Sequence, residues 1–425
     1  MRRTRLGVIA ALIVAATGTG AVMNRVTTQP LPASFCSPVF YSGSGSPRLL
    51  VVSDLPLLGL SSHGSVAMTR AIRFVLTQHR FRAGRYSVGY QSCDDSNPQT
   101  EQGDLSKCAA NAKAYADNEA VVGIVGTWSS RCSSVELPIM NMTSHGPLVM
   151  VSPSNTNIGL TRAGPGTDPG EPGRYYPTGR RSFVRLVPPD NVQGAADAAL
   201  AQQLRIRRIF LLDDKDSYGI GVAAAFLRAA GHLRLHVVGH ASWNPDAAAF
   251  GDVTAAVRRA RADGVLLAGY QCPHCGDLIH EVRGAVGQSG VIVVPDGFSL
   301  ADLVTSVGGI ANGLYGSSPG LRSPNLGALG RTIVRRFGAG APGSGGPPYA
   351  AEAMEVLLSG IAASNGSRSS VTSDVLRERI HSDILGSFHF DKNGDIDPAG
   401  VSIYRVVAGR VVLNRGIRVP LRLLR

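Results

Sequence analysis

Lysine is nearly missing from this chain of 425 residues: Lys107, Lys113, Lys215 and Lys392 are the only four among 42 basic side chains. The net charge of +12 is therefore carried by arginine. It is spread along the chain rather than gathered in a run, which reads as coding bias. Aromatic residues are also scarce, at 6%, and a nucleic-acid binder needs basic and aromatic side chains together on one face. That class is excluded. The 51 glycines and 25 prolines show no Gly-X-Y period, so the chain is not collagen-like, and 44% hydrophobic against 17% charged residues excludes wholesale disorder. Also missing are a Walker loop and an H-E-x-x-H pair, and Gly219-Ile-Gly221 lacks the third glycine of a dinucleotide fingerprint. No enzyme is assembled from these parts, and no cofactor or metal is implied. What remains is a packed, loop-rich chain with length for two domains.

Long apolar runs are limited to one, Leu6 to about Met23, preceded by Arg2, Arg3 and Arg5. This is the charged and apolar order of an export signal, with Thr19 and Ala21 as a tolerable cleavage site. Its 18 residues also reach the lower edge of a spanning helix. Removal and retention as an anchor both fit, and in either case the positive-inside rule leaves the rest of the chain outside the cytoplasm. Residues 24–46 are a polar spacer. Six cysteines in an exported chain, Cys36, Cys93, Cys108, Cys132, Cys272 and Cys275, read as a disulfide framework, and six allow 15 pairings.

From Arg48 onward apolar β-type runs alternate with amphipathic helical ones. The strands expected are Leu49–Val52, Tyr86–Tyr90, Val121–Val125 and Leu148–Val151, then Arg208–Leu212, Leu235–Val238, Gly264–Ala268 and Val291–Val294. Helices are expected at Val66–Gln78, Cys108–Asp117, Ser133–Met140, Gly221–Ala230, Phe250–Ala262, Gly276–Ala285, Tyr349–Ala363 and Asp374–His381. The alternation is the signature of parallel βαβ units, so the fold class is α/β. Gly/Pro-rich stretches at Ala163–Arg180 and Gly338–Pro348 interrupt it. A closing hairpin is expected to pair Ser387–Phe390 with Val401–Val407.

Four motifs stand at the ends of strands. Gly126-Thr-Trp-Ser-Ser-Arg-Cys-Ser-Ser134 lies between a strand and a helix, where free backbone N–H groups and hydroxyls receive a carboxylate or phosphate. Serine capping explains the same residues more simply. The others are Leu148-Val-Met-Val-Ser-Pro-Ser-Asn-Thr-Asn157, Asp213-Asp-Lys-Asp-Ser-Tyr-Gly219 and Val294-Pro-Asp-Gly297, followed by Phe388-His-Phe-Asp-Lys-Asn-Gly-Asp395. In this order they resemble the type I periplasmic binding proteins, above all the branched-chain amino-acid receptors of ABC transport, over roughly residues 48–408.

The resemblance implies two Rossmann-like lobes joined by crossing hinge strands, 48–184 with 318–384 and 185–317 with 385–425, closing on a small ligand. It implies that hydroxyls of Ser133 and Thr156 take an α-carboxylate, with Ser154 and Asn155 beside them. Asp296 would take the α-ammonium, and Tyr218 and Tyr270 would cover the ligand from the second lobe. His63, after the first strand, stands at a cleft position. Trp128 is added from its place in the Ser-rich loop, as a flat side chain able to line an apolar pocket. An ABC permease is the implied partner, and a pairing of Cys132 with Cys93 or Cys108 is the implied bridge, Cys36 taking the other. The chain departs from the family in a longer Ser-rich loop, Trp128 to Arg131, and in the Ala163–Arg180 excursion, so the ligand is expected to be an amino acid or a related amide or amine without further assignment. A sensory ectodomain would share the fold.

Cys272-Pro-His-Cys275 is the strongest signal outside that pattern. A CxxC at a helix start is where a thiolate is activated for disulfide exchange. A structural disulfide accounts for it equally, and a zinc site from Cys272, His274, Cys275 and His280 would be cramped. Asp391-Lys-Asn-Gly-Asp-Ile-Asp397 has alternating carboxylates like a calcium loop, but its glycine is misplaced and Ser402 stands where a bidentate Glu is needed. An Asn-Gly turn explains it better.

Overall fold

Runs of Val, Leu and Ile that are buried on both faces form the strands of two mostly parallel sheets in the computed structural model. It describes residues 28–424 apart from 33, 60–61, 98–102, 165, 321–325 and 340–344. The first sheet holds β1 (Leu49–Leu55), β2 (Arg82–Ala83), β3 (Tyr86–Asp94), β4 (Val121–Gly126), β5 (Val149–Ser152) and β6 (Phe183–Arg185), in the order β2-β3-β1-β4-β5-β6. The chain then builds β7 (Ile209–Asp213), β8 (Val237–Ser242), β9 (Gly264–Ala268), β10 (Val291–Val294) and β11 (Tyr315–Pro319). A separate three-stranded sheet follows, β12 (Arg379–Ser382), β13 (Gly386–Phe390) and β14 (Ile396–Asp397). Finally β15 (Gly400–Val407) and β16 (Arg410–Arg418) join the second sheet, whose order is β16-β15-β11-β10-β9-β7-β8. Neighbours from β3 to β6 and from β8 to β11 run parallel.

Successive strand residues face opposite sides, and each sheet is covered on both. In lobe 1, Val51 and Val125 pack under helices Ser62–Gln78 and Pro347–Ala363 through Met68, Ile72, Met354 and Leu357. Their neighbours Leu50, Val52 and Ile124 pack the other way, against Tyr115 of helix Leu105–Asp117 and Leu137 of helix Ser130–Asn141. Lobe 2 repeats the arrangement: Leu211 and Leu266 meet helices Asp190–Gln203 and Ser217–Leu233, while Leu212 and Leu267 meet Cys275–Val286. The leader or anchor expected at 1–23 lies outside the described residues. Among the described residues no helix is long and apolar enough to cross a membrane.

Three segments pass between the sheets, after β6, after β11 and between β14 and β15. An ion cluster fastens the crossings: Arg185, at zero exposure, donates from Nε to Asp395 at 2.6 Å, and Arg162 Nε donates to the same carboxylate at 2.9 Å. Burial alone would raise the Asp395 pKa, but the two guanidiniums outweigh it and hold the carboxyl below its usual range. Asp391 organises the turn beside it, accepting from the Asn393 and Asp395 amides at 2.8 and 3.1 Å. Gly394 there has φ +93°, which glycine adopts without strain. The seven-residue motif is thus a hinge turn.

The expected closing hairpin is corrected. Residues Gly386–Phe390 pair with Arg379–Ser382 and Ile396–Asp397, whereas Gly400–Val407 pairs with Tyr315–Pro319 and Arg410–Arg418. Phe388 and Phe390 belong to the lobe 1 core, so 385–397 packs with lobe 1 rather than lobe 2. The helix expected at Asp374–His381 is Arg368–Arg377, and Arg379 onward is strand. Helices Asp190–Gln203, Leu300–Val307 and Ala328–Phe337 were not expected. The disulfides are Cys36–Cys93, Cys108–Cys132 and Cys272–Cys275.

Candidate functional site

Open parallel sheets bind ligands beyond the carboxyl ends of their strands where the strand order reverses. In lobe 1 that point lies between β1 and β4, and in lobe 2 between β7 and β9. The loops there are Thr127–Ser129 and, in lobe 2, Asp214–Asp216 and Gly269–His274.

The lobe 2 face is aromatic and acidic. Asp216 caps helix Ser217–Leu233 by accepting from the Tyr218 amide at 2.9 Å, which sets Tyr218 in the first turn. The Tyr218 hydroxyl donates to Asp296 Oδ1 at 2.6 Å and also accepts from the Gly297 amide at 3.2 Å. The Tyr270 ring lies 4.6 Å from the Tyr218 ring, centroid to centroid, tilted by 30°. The Tyr270 amide donates to Asp214 Oδ2 at 2.8 Å, and the Gln271 amide to the Gly297 carbonyl at 2.8 Å, so the β9 and β10 loops are tied together. A Cβ on Gly297 would stand 2.3 Å from the Gly269 carbonyl oxygen, which makes this a position for glycine alone. Tyr270 is 42% exposed although surrounded by Asp190, Asp214, Asp216 and Asp296, the mark of a side chain lining a cleft. Burial and then the neighbouring carboxylates push the Tyr218 phenol well above its ordinary range.

The lobe 1 face is built from hydroxyls and backbone. Ser152 Oγ accepts from the Asn155 amide at 2.9 Å and shapes the turn after β5. Asn155 Nδ2 and Ser154 Oγ both donate to the carbonyl of Trp128, at 3.1 Å each, joining this turn to the Ser-rich loop. Ser129 caps helix Ser130–Asn141, accepting from the Arg131 amide at 3.3 Å. Thr156 holds Asp190 through its carbonyl, which accepts the Asp190 amide at 2.9 Å. Asp190 Oδ1 has no partner although the residue is 3% exposed. Burial, then the charge of Asp296, push this carboxyl up to about 7.

Thr156, Tyr218, Tyr270 and Asp296 are therefore brought into one electrostatic neighbourhood, with Asp190 added. Three expected positions read differently. Ser133 is fully buried, and its hydroxyl is engaged by Thr127 Oγ1 at 3.0 Å and by Asn155 Oδ1, so it braces the loop from inside the lobe instead of facing the cleft. The helix begins three residues earlier than expected, which leaves Ser129 and Ser130 at the cleft end. Trp128 packs half-buried against the lobe 1 core. His63 is exposed on the first turn of helix Ser62–Gln78. Asp190 was missed because Pro188 and Pro189 break the pattern before it. Yet proline ahead of an acidic first turn is itself a helix start signal.

The close pair Cys272 and Cys275 forms a disulfide, with the Cys272 amide 3.0 Å from Cys275 Sγ, directly after Tyr270 and Gln271. Among the described residues, the one His/Cys/Asp/Glu group near enough to hold a metal is Asp95, Cys108 and Cys132, and its cysteines are bonded to each other.

Residues 90–382 match the family described as periplasmic binding protein. No curated protein sequence matches the chain. Among solved structures, a leucine-binding protein of Thermotoga maritima superposes with a TM-score of 0.70 at 20% identity, covering 87% of this chain and 99% of that one. The branched-chain amino acid transporter substrate binding protein LivJ of Streptococcus pneumoniae, in complex with isoleucine, gives 0.68 at 14% identity, over 87% and 99%. A solute-binding protein of an ABC transporter from R. palustris, in complex with benzoate, gives 0.64 at 15% identity, over 86% and 95%. The matched segment spans more than half of the chain, and its two-lobed α/β fold agrees: the chain belongs to the periplasmic binding protein family, whose members bind solutes outside the cytoplasm.

Proposed function

We propose that this protein captures a small amine-bearing ligand, an amino acid or a related amide, between its lobes and delivers it to an ABC permease. The observation that carries this reading is the grouping of two carboxylates with two rings: Asp296, bonded by the Tyr218 hydroxyl, and Asp190, whose charge acts on Tyr218 and Tyr270. Two acidic groups in an aromatic-walled cleft favour a cation, because an ammonium there supplies the counter-charge that Asp190, buried and next to the charge of Asp296, lacks. Aromatic faces add to the attraction of a positive group.

On the opposite face, a ligand carboxylate would meet the N-terminus of helix Ser130–Asn141 and the hydroxyls of Ser129, Ser154 and Thr156. Helix N-termini favour anions. Contacts from both lobes make the closed state bind better than the open one, which is what drives closure. The chemistry is binding rather than catalysis. The permease as partner is supported by the ABC transporter receptors among the similar structures.

Thermal shift against amino acids, amides, polyamines and aromatic acids tests the reading, since a tight ligand stabilises the folded state by mass action. An amine-bearing ligand is expected to raise Tm. Asp296→Ala is expected to weaken it by about 2–5 kcal/mol, thirtyfold or more in Kd by calorimetry. Unchanged affinity in that variant, or a shift with benzoate-type acids alone, would overturn the assignment.

A further inference from the structure

Helix Ser62–Gln78 leaves the cleft end of β1 and runs back along the sheet, so its last turns lie at the far end of lobe 1. Helix Ala328–Phe337 packs beside it, and the Phe74 and Phe337 rings meet there at 5.8 Å. Arg336 lies over both rings, 5.0 and 5.4 Å from their centroids. Arg70, Arg73, Thr77 and Gln78 complete an open groove of about 360 Å³. Arg73 stacks over Phe40 at 5.1 Å, and its Nε is buried without an acceptor. Arg70, Arg80, Arg335 and Arg336 are exposed. None of these five arginines forms an ion pair among the described residues. The acidic neighbour, Glu355, is held by His79 at 2.8 Å.

We propose that this arginine–phenylalanine face of lobe 1 docks on an anionic phospholipid bilayer. Guanidiniums form bidentate contacts with phosphate, and Arg70, Arg73 and Arg336 around a shallow apolar floor, with Arg80 and Arg335 exposed on the same two segments, suit a plane of headgroups better than one enclosed solute. Partly buried phenylalanines contribute apolar contact at the headgroup boundary. A polypeptide partner with acidic residues would need the shape of the groove, whereas the open, one-signed face supplies charge complementarity alone. The inference is independent of what the cleft binds.

The test is vesicle co-sedimentation of the full chain, disulfides intact, with phosphatidylglycerol–phosphatidylcholine vesicles against pure phosphatidylcholine. Binding to the anionic vesicles alone, weakening as salt rises, is expected. Each arginine near such a surface contributes about fivefold in partition, so Arg70→Gln with Arg336→Gln should lower it roughly thirtyfold. Arg258→Gln with Arg259→Gln removes the same charge from an exposed lobe 2 helix and should have little effect. Circular dichroism confirms that both variants fold. Equal losses in the two variants would reduce the effect to net charge and overturn the proposal. So would absence of binding, or displacement by glycerol phosphate at low concentration, which would assign the groove to a soluble phosphate. Preference for an acidic polypeptide over vesicles would assign it to a protein.

Discussion

The two lobes share one architecture but are held and equipped differently. Lobe 1 carries two disulfides that close long stretches, Cys36–Cys93 with a separation of 57 and Cys108–Cys132 with 24, whereas lobe 2 has only Cys272–Cys275, with a separation of 3. Lobe 1 places hydroxyls and a helix terminus after β4 and β5 and buries Asp54, Asp95 and Glu136 beneath them, while lobe 2 groups Asp296 with Tyr218 and the exposed Tyr270 after β9 and β10. The difference separates two tasks that the same fold can perform. Lobe 1 is the covalently braced body, and lobe 2 carries the charged contacts that would select the ligand.

The strongest way to break this division is at the crossing, where both lobes depend on one carboxylate. Asp395→Ala would leave Arg185 buried without its ion partner, and removing one member of a buried pair costs about 3–5 kcal/mol. Urea unfolding should show that loss. An unchanged midpoint would mean that Arg185 is satisfied by its bonds to the Asn155 and Asn157 carbonyls, at 3.3 and 2.8 Å.

Next in size are the disulfides. On loop-closure entropy, opening Cys36–Cys93 by serine substitution should cost about 4 kcal/mol and opening Cys272–Cys275 about 2 kcal/mol. Calorimetry of the two double variants should therefore lower the lobe 1 transition more. Equal losses would show that strain or residual structure, and not loop length, governs the bridges. If ligand affinity falls only in the Cys272→Ser, Cys275→Ser variant, the short bridge serves to place Tyr270.

Much of this organisation is legible in the sequence, because a strand buried on both faces has to be a continuous apolar run. Leu49–Val52 and Gly264–Ala268 announce themselves, and the motifs at 213–219 and 294–297 set Tyr218 and Asp296 at strand ends, while Tyr270 comes from the family resemblance. What stays hidden depends on direction and partner. Serine repeats in Ser129-Ser-Arg-Cys-Ser-Ser134 give no sign of which hydroxyl caps, which faces the cleft and which is buried. Ser133 turns inward because the helix starts at Ser130, one turn before its apolar periodicity becomes visible. The closing strands were mispaired because Phe388 and Val401 are equally apolar, and only the three-dimensional crossing sends one to each lobe. The arginine face could not be distinguished from coding bias until its acidic neighbours were located.

The smallest expected effect sharpens the contrast between hidden and displayed carboxyls. Beneath the Ser-rich loop Asp54 accepts from Asn111 Nδ2 at 3.0 Å and from the Tyr115 hydroxyl at 2.9 Å, and Glu136, fully buried, has its nearest ionisable partner in Asp54. Burial pushes Asp54 up to about 6 and Glu136 well above its usual range, with the Asp54 charge adding to the latter. The folded protein thus binds these protons more tightly than the unfolded chain does. Their contribution to stability is full below about pH 4, the unfolded range of carboxyls, and is lost as pH rises through the folded values. Asp395, whose pKa is lowered, works in the opposite sense: its contribution is present above about pH 4 and lost on further acidification. Glu136→Gln keeps the shape and removes one proton site, so the decline in unfolding free energy as pH rises above the ordinary carboxyl range should flatten. A slope identical to that of the unaltered protein would place the titration elsewhere, and lobe 1 would then owe its bracing to the disulfides and apolar packing alone.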